Sequence, residues 1–127
     1  MNFINAVKSY FVKWNDFKTR SSRSEYWWAT LFSTLASIVS QLVNAAIASN
    51  PSALTLTIAI LVLILLIFMF IASLALVVRR LHDLDKSGWW YLLIFTIIGI
   101  IPLIIWYCSK GTEGQNRFGE DPLSENF

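Results

Sequence analysis

His82 is the only histidine in this 127-residue chain, and Arg79, Arg80 and Asp83 lie within three positions of it. An imidazole changes its charge near neutral pH, and a neighbouring carboxylate can orient it or exchange a proton with it. This pattern predicts a proton carrier, or a base acting on a lipid headgroup. In a second interpretation the two arginines bind lipid phosphates and pair with Asp83 and Asp85.

Other chemistries are poorly supported by the residues present. A single cysteine, Cys108, rules out an intrachain disulfide and a cysteine zinc cluster. No nucleophile–base pair accompanies the histidine, and one histidine with two aspartates can at most join a metal site completed elsewhere. The tail glycines lack the strand-to-helix setting of a phosphate-binding loop. We therefore expect no metal and no cofactor.

Three long apolar runs must position these residues. They cover 26–48, 53–78 and 89–108, and none contains Asp, Glu, Lys or Arg. A bilayer core needs about 20 apolar residues per spanning helix. Hydrophobic residues form 56% of the chain and charged residues 14%, against about 25% charged in ordinary soluble domains. The sequence predicts one all-α integral membrane domain, 1–127, with three transmembrane helices.

An amphipathic helix is predicted over 3–18, ahead of the first span. Its apolar face carries Phe3, Ile4, Val7, Tyr10, Phe11, Trp14 and Phe17. An aromatic face with lysines near the opposite side is typical of a helix lying in the headgroup region. The alternative is a helix packed on a protein partner or on the loops.

The polar residues inside the first run have two alternative interpretations. Polar residues recur at helical spacing in the first run, as Ser33, Ser37, Ser40, Gln41 and Asn44. They predict helix packing, or a polar path through a small transporter or oligomeric channel.

The third run contains Gly99 and Pro102, which predict a kink or break. We expect a full crossing; a re-entrant segment would instead return the tail to the side where the run began.

The distribution of positive charge predicts the orientation. The four segments outside the runs contain five, zero, three and two Lys or Arg residues. Short cytoplasmic segments carry the excess of positive charge, so the N-terminus and 79–88 are assigned to the cytoplasm. Three full crossings then place the polar tail, 109–127, outside. Because the basic residues also serve the membrane interface, nucleic-acid binding is not expected.

Three motifs resemble the signatures of one family. The first runs from Arg20 through Arg23 and Glu25 to the tryptophan pair at 27–28. The second covers 79–83 and 86–90, and the third covers 111–122. Together they resemble the domain of unknown function 805 family of small bacterial inner-membrane proteins, from about residue 10 to 122. Thr19 departs from the pattern, since the family usually has glycine there.

The resemblance implies a bacterial inner-membrane location and no established enzyme activity. It marks candidate binding residues at helix ends and in the tail: Arg23, Glu25, Arg79, Arg80, His82, Asp83, Asn116, Arg117 and Gly119. Arg20 shares their interface and completes the set.

The leading functional hypothesis is a small non-enzymatic membrane protein. It would bind a partner protein or anionic lipid through an interfacial Arg/His/Asp cluster, and it could form a homo-oligomer. The alternatives are the transporter or channel and the lipid-headgroup enzyme. All three motifs can meet only if the tail lies on the cytoplasmic side.

Overall fold

The computed structural model describes residues 1–123, so the last four residues of the predicted polar tail lie outside the described part. Within it the chain is helical, apart from turns and one isolated β-bridge in the tail. The elements are α1 (Phe3–Val12), α2 (Arg23–Ala48), α3 (Ala53–Asp83), a 3-10 helix (Gly88–Phe95) and α4 (Ile100–Cys108).

Helices α2 and α3 are long and apolar enough to cross a membrane. Their 26 and 31 residues give lengths of about 39 and 46 Å, against about 30 Å for the bilayer core. Their apolar side chains are largely exposed, for example Leu54 at 70% and Phe70 at 64%. Core helices of soluble proteins bury such residues, so lipid is the solvent that this surface fits.

Serine caps start both long helices. The Ser22 hydroxyl accepts the Glu25 N–H at 3.3 Å, and Ser52 and Thr55 form a reciprocal capping box. The short turn between the two helices, 49–52, lies at the far end from the arginine motifs. The first two predicted spans are thus confirmed as helices.

Helix α1 is shorter than predicted and is packed differently. It ends at Val12, and the Asp16 carboxylate then accepts the N–H groups of Lys18 and Thr19, which turns the chain towards α2. Tyr10 is fully buried, and its hydroxyl donates to the Met69 carbonyl at 2.7 Å. Tyr10 and Phe11 of the aromatic face therefore pack on α2 and α3, whereas Ile4 is 62% exposed.

The third apolar run is split into two short helices. The 3-10 helix spans about 16 Å and α4 about 14 Å, so neither reaches across a bilayer core. Between them the chain leaves helical geometry at Thr96, whose hydroxyl accepts the Gly99 N–H at 3.0 Å. Pro102 lies in the first turn of α4, where its missing N–H is tolerated. The predicted third spanning helix is not confirmed.

The two short helices form a hairpin. Trp90, near the start of the 3-10 helix, meets Trp106, near the end of α4, with ring centroids 5.7 Å apart. At the turn between them Phe95, Ile97 and Ile98 are each more than 80% exposed. The chain thus returns to the end of α3 from which it left, and the contacts contradict a tail on the opposite side of the bundle.

Candidate functional site

The first part of the second motif, 79–83, forms the last turn of α3. Three of its carbonyls accept hydrogen bonds from distant segments of the chain. The Ser21 N–H donates to Arg79 at 3.0 Å, and the Thr112 N–H donates to Asp83 at 2.7 Å. The Asn116 amide donates to the His82 carbonyl at 2.9 Å. Because a helix leaves its last carbonyls unpaired, the tail contributes to the C-terminal cap of α3, together with the N–H groups of Leu84, Asp85 and Lys86.

Arg20, Arg80 and Asp83 form an ion-paired triad, which we call the clamp. The Asp83 carboxylate lies 2.9 Å from Arg20 Nη2 through Oδ1 and 2.6 Å from Arg80 Nη1 through Oδ2. Arg20 also donates to the carbonyls of Thr112 at 2.6 Å and Gly114 at 2.7 Å. Arg20 therefore joins the three motifs, because its guanidinium contacts both the Asp83 carboxylate and the tail carbonyls.

Arg80 fastens the end of α4 to the same carboxylate. Its Nε and Nη2 donate to the Tyr107 carbonyl at 3.3 Å, and Nη2 also donates to the Ser109 carbonyl. The guanidinium side chain is fully buried. These bonds hold the last turn of α4 against the last turn of α3.

Arg79 makes a second buried contact, with the N-terminal part of the chain. Its guanidinium donates to Ser21 Oγ at 2.9 Å and to the Lys13 carbonyl at 2.7 Å. Its Nη2 lies 3.8 Å from Glu25 Oε1, and that oxygen accepts the Ser9 hydroxyl at 2.6 Å. Nη2 makes no hydrogen bond to residues 1–123.

These contacts correct one interpretation of the arginines. Arg20, Arg79 and Arg80 have at most 1% of their side chains exposed, and most of their donors are used internally. A buried ion pair organises its surroundings but has no free face for a ligand. The interpretation in which Arg79 and Arg80 reach lipid phosphates is not supported in this conformation, because both guanidinium groups are enclosed by protein groups.

His82 does not form the predicted pair with Asp83. Its Nδ1 lies 3.1 Å from the Thr19 carbonyl, which can only accept, so Nδ1 carries a proton. The ring stacks on Phe118, with 3.9 Å between centroids. Asp83 is held by the two arginines of the clamp. The headgroup-enzyme hypothesis requires a contact between the His82 ring and the Asp83 carboxylate, and this contact is absent from the described residues.

The other candidate residues lie at the edge of this cluster. Arg23 donates to the Cys108 carbonyl at 3.1 Å. Arg117 is 59% exposed and pairs with Asp85 at 3.3 Å. Asn116 and Gly119 exchange two backbone hydrogen bonds of 3.1 Å, which close the tail turn.

The sequence patterns assigned no role to Thr112 or Ser21. Thr112 contributes its backbone N–H and carbonyl, and Ser21 contributes its N–H and its hydroxyl. Only the position of such residues inside the motifs hints at a role.

Asp16 holds the turn that brings backbone acceptors to Arg79. Partial burial alone raises the pKa of Asp16, but bonds from the Thr19 hydroxyl and from the N–H groups of Lys18 and Thr19 outweigh it. The pKa therefore lies below its ordinary value, and the carboxylate is ionised at neutral pH. The ionised group keeps this turn closed.

The polar stripe of α2 lies partly along a groove between α2 and α3. Ser33, Ser37 and Gln41 line a space of about 400 Å³ together with Met69 and other α3 residues. The Ser33 hydroxyl donates to a carbonyl of its own helix at 3.0 Å. In one chain the groove is open at its side, so a closed polar path would require further copies.

The chain is similar to one known family and to named relatives. The family described as "Protein of unknown function (DUF805)" matches residues 14–120. The chain belongs to this family. The matched region contains the clamp and the tail turn, whereas α1 lies outside it.

Two Escherichia coli K12 proteins are similar over nearly their whole length. "Inner membrane protein YhaI" is 34% identical over 121 residues, which cover 94% of this chain and 93% of that protein. "Inner membrane protein YhaH" is 34% identical over 128 residues, with 97% of each covered. No solved structure matches the chain. A DUF805 protein with such relatives and two exposed apolar helices is a membrane protein of the inner-membrane class.

Proposed function

We propose that this DUF805 protein is a small non-enzymatic inner-membrane protein that binds anionic lipid at the end where the three motifs meet. One observation carries the proposal. All the Lys and Arg residues lie outside the apolar runs, and none lies in the 49–52 turn. Outside the buried contacts, accessible basic groups border interfacial aromatic rings, as Lys86 does at 4.6 Å from the Trp106 ring. Such groups each gain about 1 kcal/mol near an anionic surface.

The proposal includes a topology. Helices α2 and α3 cross the membrane, the hairpin enters the cytoplasmic leaflet and returns, and both termini lie in the cytoplasm. The basic end is then cytoplasmic, as the distribution of Lys and Arg favours. The exposed apolar turn at Ile97 and Ile98 fits contact with acyl chains. The cost of unpaired backbone in lipid is limited, because both arms of the hairpin are helical.

Thiol labelling tests the topology. In a Cys108→Ser background, a cysteine at Asn50 should react with a membrane-impermeant maleimide added to spheroplasts. A cysteine at Gln115 should react only after the membrane is permeabilised. If the third run crossed completely, Gln115→Cys would be labelled from outside, and the proposed topology would be wrong.

Lipid binding is tested on the purified full chain in nanodiscs. We expect the melting temperature to rise by several degrees when 30% phosphatidylglycerol replaces part of a phosphatidylethanolamine bilayer, because binding to the folded state stabilises it. Since the contact is electrostatic, 0.5 M salt should reduce the rise. Equal melting temperatures in both bilayers would contradict the proposal and leave protein-partner binding as the better hypothesis.

A further inference from the structure

A groove of about 760 Å³ lies beside His82, between the segment that joins α1 to α2 and the start of the 3-10 helix. Its apolar lining includes Phe17, Val78, Trp89 and Leu92. Its polar lining includes Lys18, His82 and Arg117. The volume is within the range of small-molecule sites.

The two ends of the groove differ in polarity. His82 is on the last turn of α3, and Val78 lies four residues earlier, about 6 Å deeper along the helix axis. On the hairpin, Leu92 is 53% exposed and Trp89 is 80% exposed. The groove therefore runs from basic groups at the helix end to an apolar wall at the level of the spans.

The basic groups of the groove retain free donors, unlike those of the clamp. Among the described residues, the Lys18 ammonium has no acidic partner. Arg117 uses Nε and Nη2 on Asp85, at 3.3 and 2.9 Å, which leaves Nη1 unbonded within residues 1–123. His82 adds no free donor, because its Nδ1–H is committed to the Thr19 carbonyl and the Nε2 of a neutral imidazole is an acceptor. Arginine and lysine donors are the usual partners of phosphate oxygens.

We infer that this groove binds one anionic glycerophospholipid, with its phosphate between Lys18 and Arg117 and the start of an acyl chain along Val78 and Leu92. The inference rests on the proposed function for the class of ligand and assigns its place. The juxtaposition of basic and apolar walls favours a lipid over a soluble phosphate, which would leave the apolar wall unused.

Gly88 keeps the apolar end of the groove open. A Cβ built at this position would lie 2.9 Å from Val78 Cγ1 and 3.0 Å from Cγ2, closer than carbon atoms pack. Because Gly88 lacks this atom, the 3-10 helix can start directly against α3. A side chain here would push Val78 or the hairpin into the space assigned to the acyl chain.

The test compares two double variants with the same change in net charge. Lys18→Gln with Arg117→Gln removes the groove charges, and Lys8→Gln with Lys110→Gln removes exposed charges elsewhere. Native mass spectrometry of the full chain measures the dissociation constant for phosphatidylglycerol. We expect at least a tenfold weakening in the groove variant and less than twofold in the control.

Leu92→Trp, which fills the apolar end, should also weaken binding while the detergent melting temperature stays unchanged.

The outcomes separate the two proposals. If the wild type does not distinguish phosphatidylglycerol from phosphatidylethanolamine, the proposed function fails. If it does, and both double variants behave alike, lipid binding stands but the groove is not the site. Competition by glycerol 3-phosphate at equal concentration would identify a soluble phosphate site and overturn the lipid assignment.

Discussion

Asp83→Asn should destabilise the folded chain by about 3–5 kcal/mol, the usual cost of removing one partner from a buried ion pair. Its carboxylate faces two guanidinium groups, Arg20 Nη2 at 2.9 Å and Arg80 Nη1 at 2.6 Å. An amide of the same shape leaves both cations without a counter-ion, in a site where neither is more than 1% exposed. Because Arg20 also holds the tail carbonyls, the tail should loosen with the clamp.

Asp85→Asn is the matched control for this substitution. It removes the same charge two residues away, from a pair with Arg117 in which both side chains are at least 50% exposed. Exposed pairs contribute about 0–1 kcal/mol. Thermal unfolding in one detergent should show a drop of about 10 °C or more for Asp83→Asn and little change for Asp85→Asn. Equal midpoints would mean that the clamp does not stabilise the fold.

The first two spans were predictable because their signal is local. A run of about 20 apolar residues between charged segments has few structural solutions. The third run passes the same length test, yet it folds as a hairpin. The hairpin brings Trp90 against Trp106, and a count of apolar residues does not register this contact between residues 16 positions apart.

The motifs also singled out residues that cluster at the end of α3, but the exposure of these residues could not be read from the sequence. Arg79 and Arg80 follow an apolar run, where arginines usually reach for headgroups. Here backbone carbonyls of distant segments take the place of headgroups. Arg79 donates to the carbonyls of Lys13 and Asp16, upstream of α2. Arg80 donates to carbonyls at the end of α4, including those of Tyr107 and Ser109. The aromatic face of α1 has the same ambiguity, because lipid and the flanks of two apolar helices offer similar surroundings. Only the fold shows that Tyr10 is buried against α3.

Gly111→Ala should displace the tail from the clamp. A Cβ at residue 111 would lie 2.0 Å from Asp83 Oδ2 and 2.5 Å from Cγ, well inside van der Waals contact. The carboxylate cannot withdraw, because Arg20 and Arg80 fix it on both sides. The backbone of the next residue, Thr112, donates to the Asp83 carbonyl at 2.7 Å, so the chain cannot move away without breaking the cap of α3.

Limited trypsinolysis measures this displacement, since cleavage after Arg117 requires an undocked tail. We expect at least tenfold faster cleavage in Gly111→Ala than in the wild type. Gln115→Ala, at an exposed position of the same segment, should cleave at the wild-type rate. Gly114→Ala should fall between them: a Cβ there meets nothing within 4 Å, but a φ of +72° imposes about 1–2 kcal/mol of backbone strain. If Gly111→Ala were cleaved no faster than Gln115→Ala, the close approach of the tail to Asp83 would not be what holds the three motifs together.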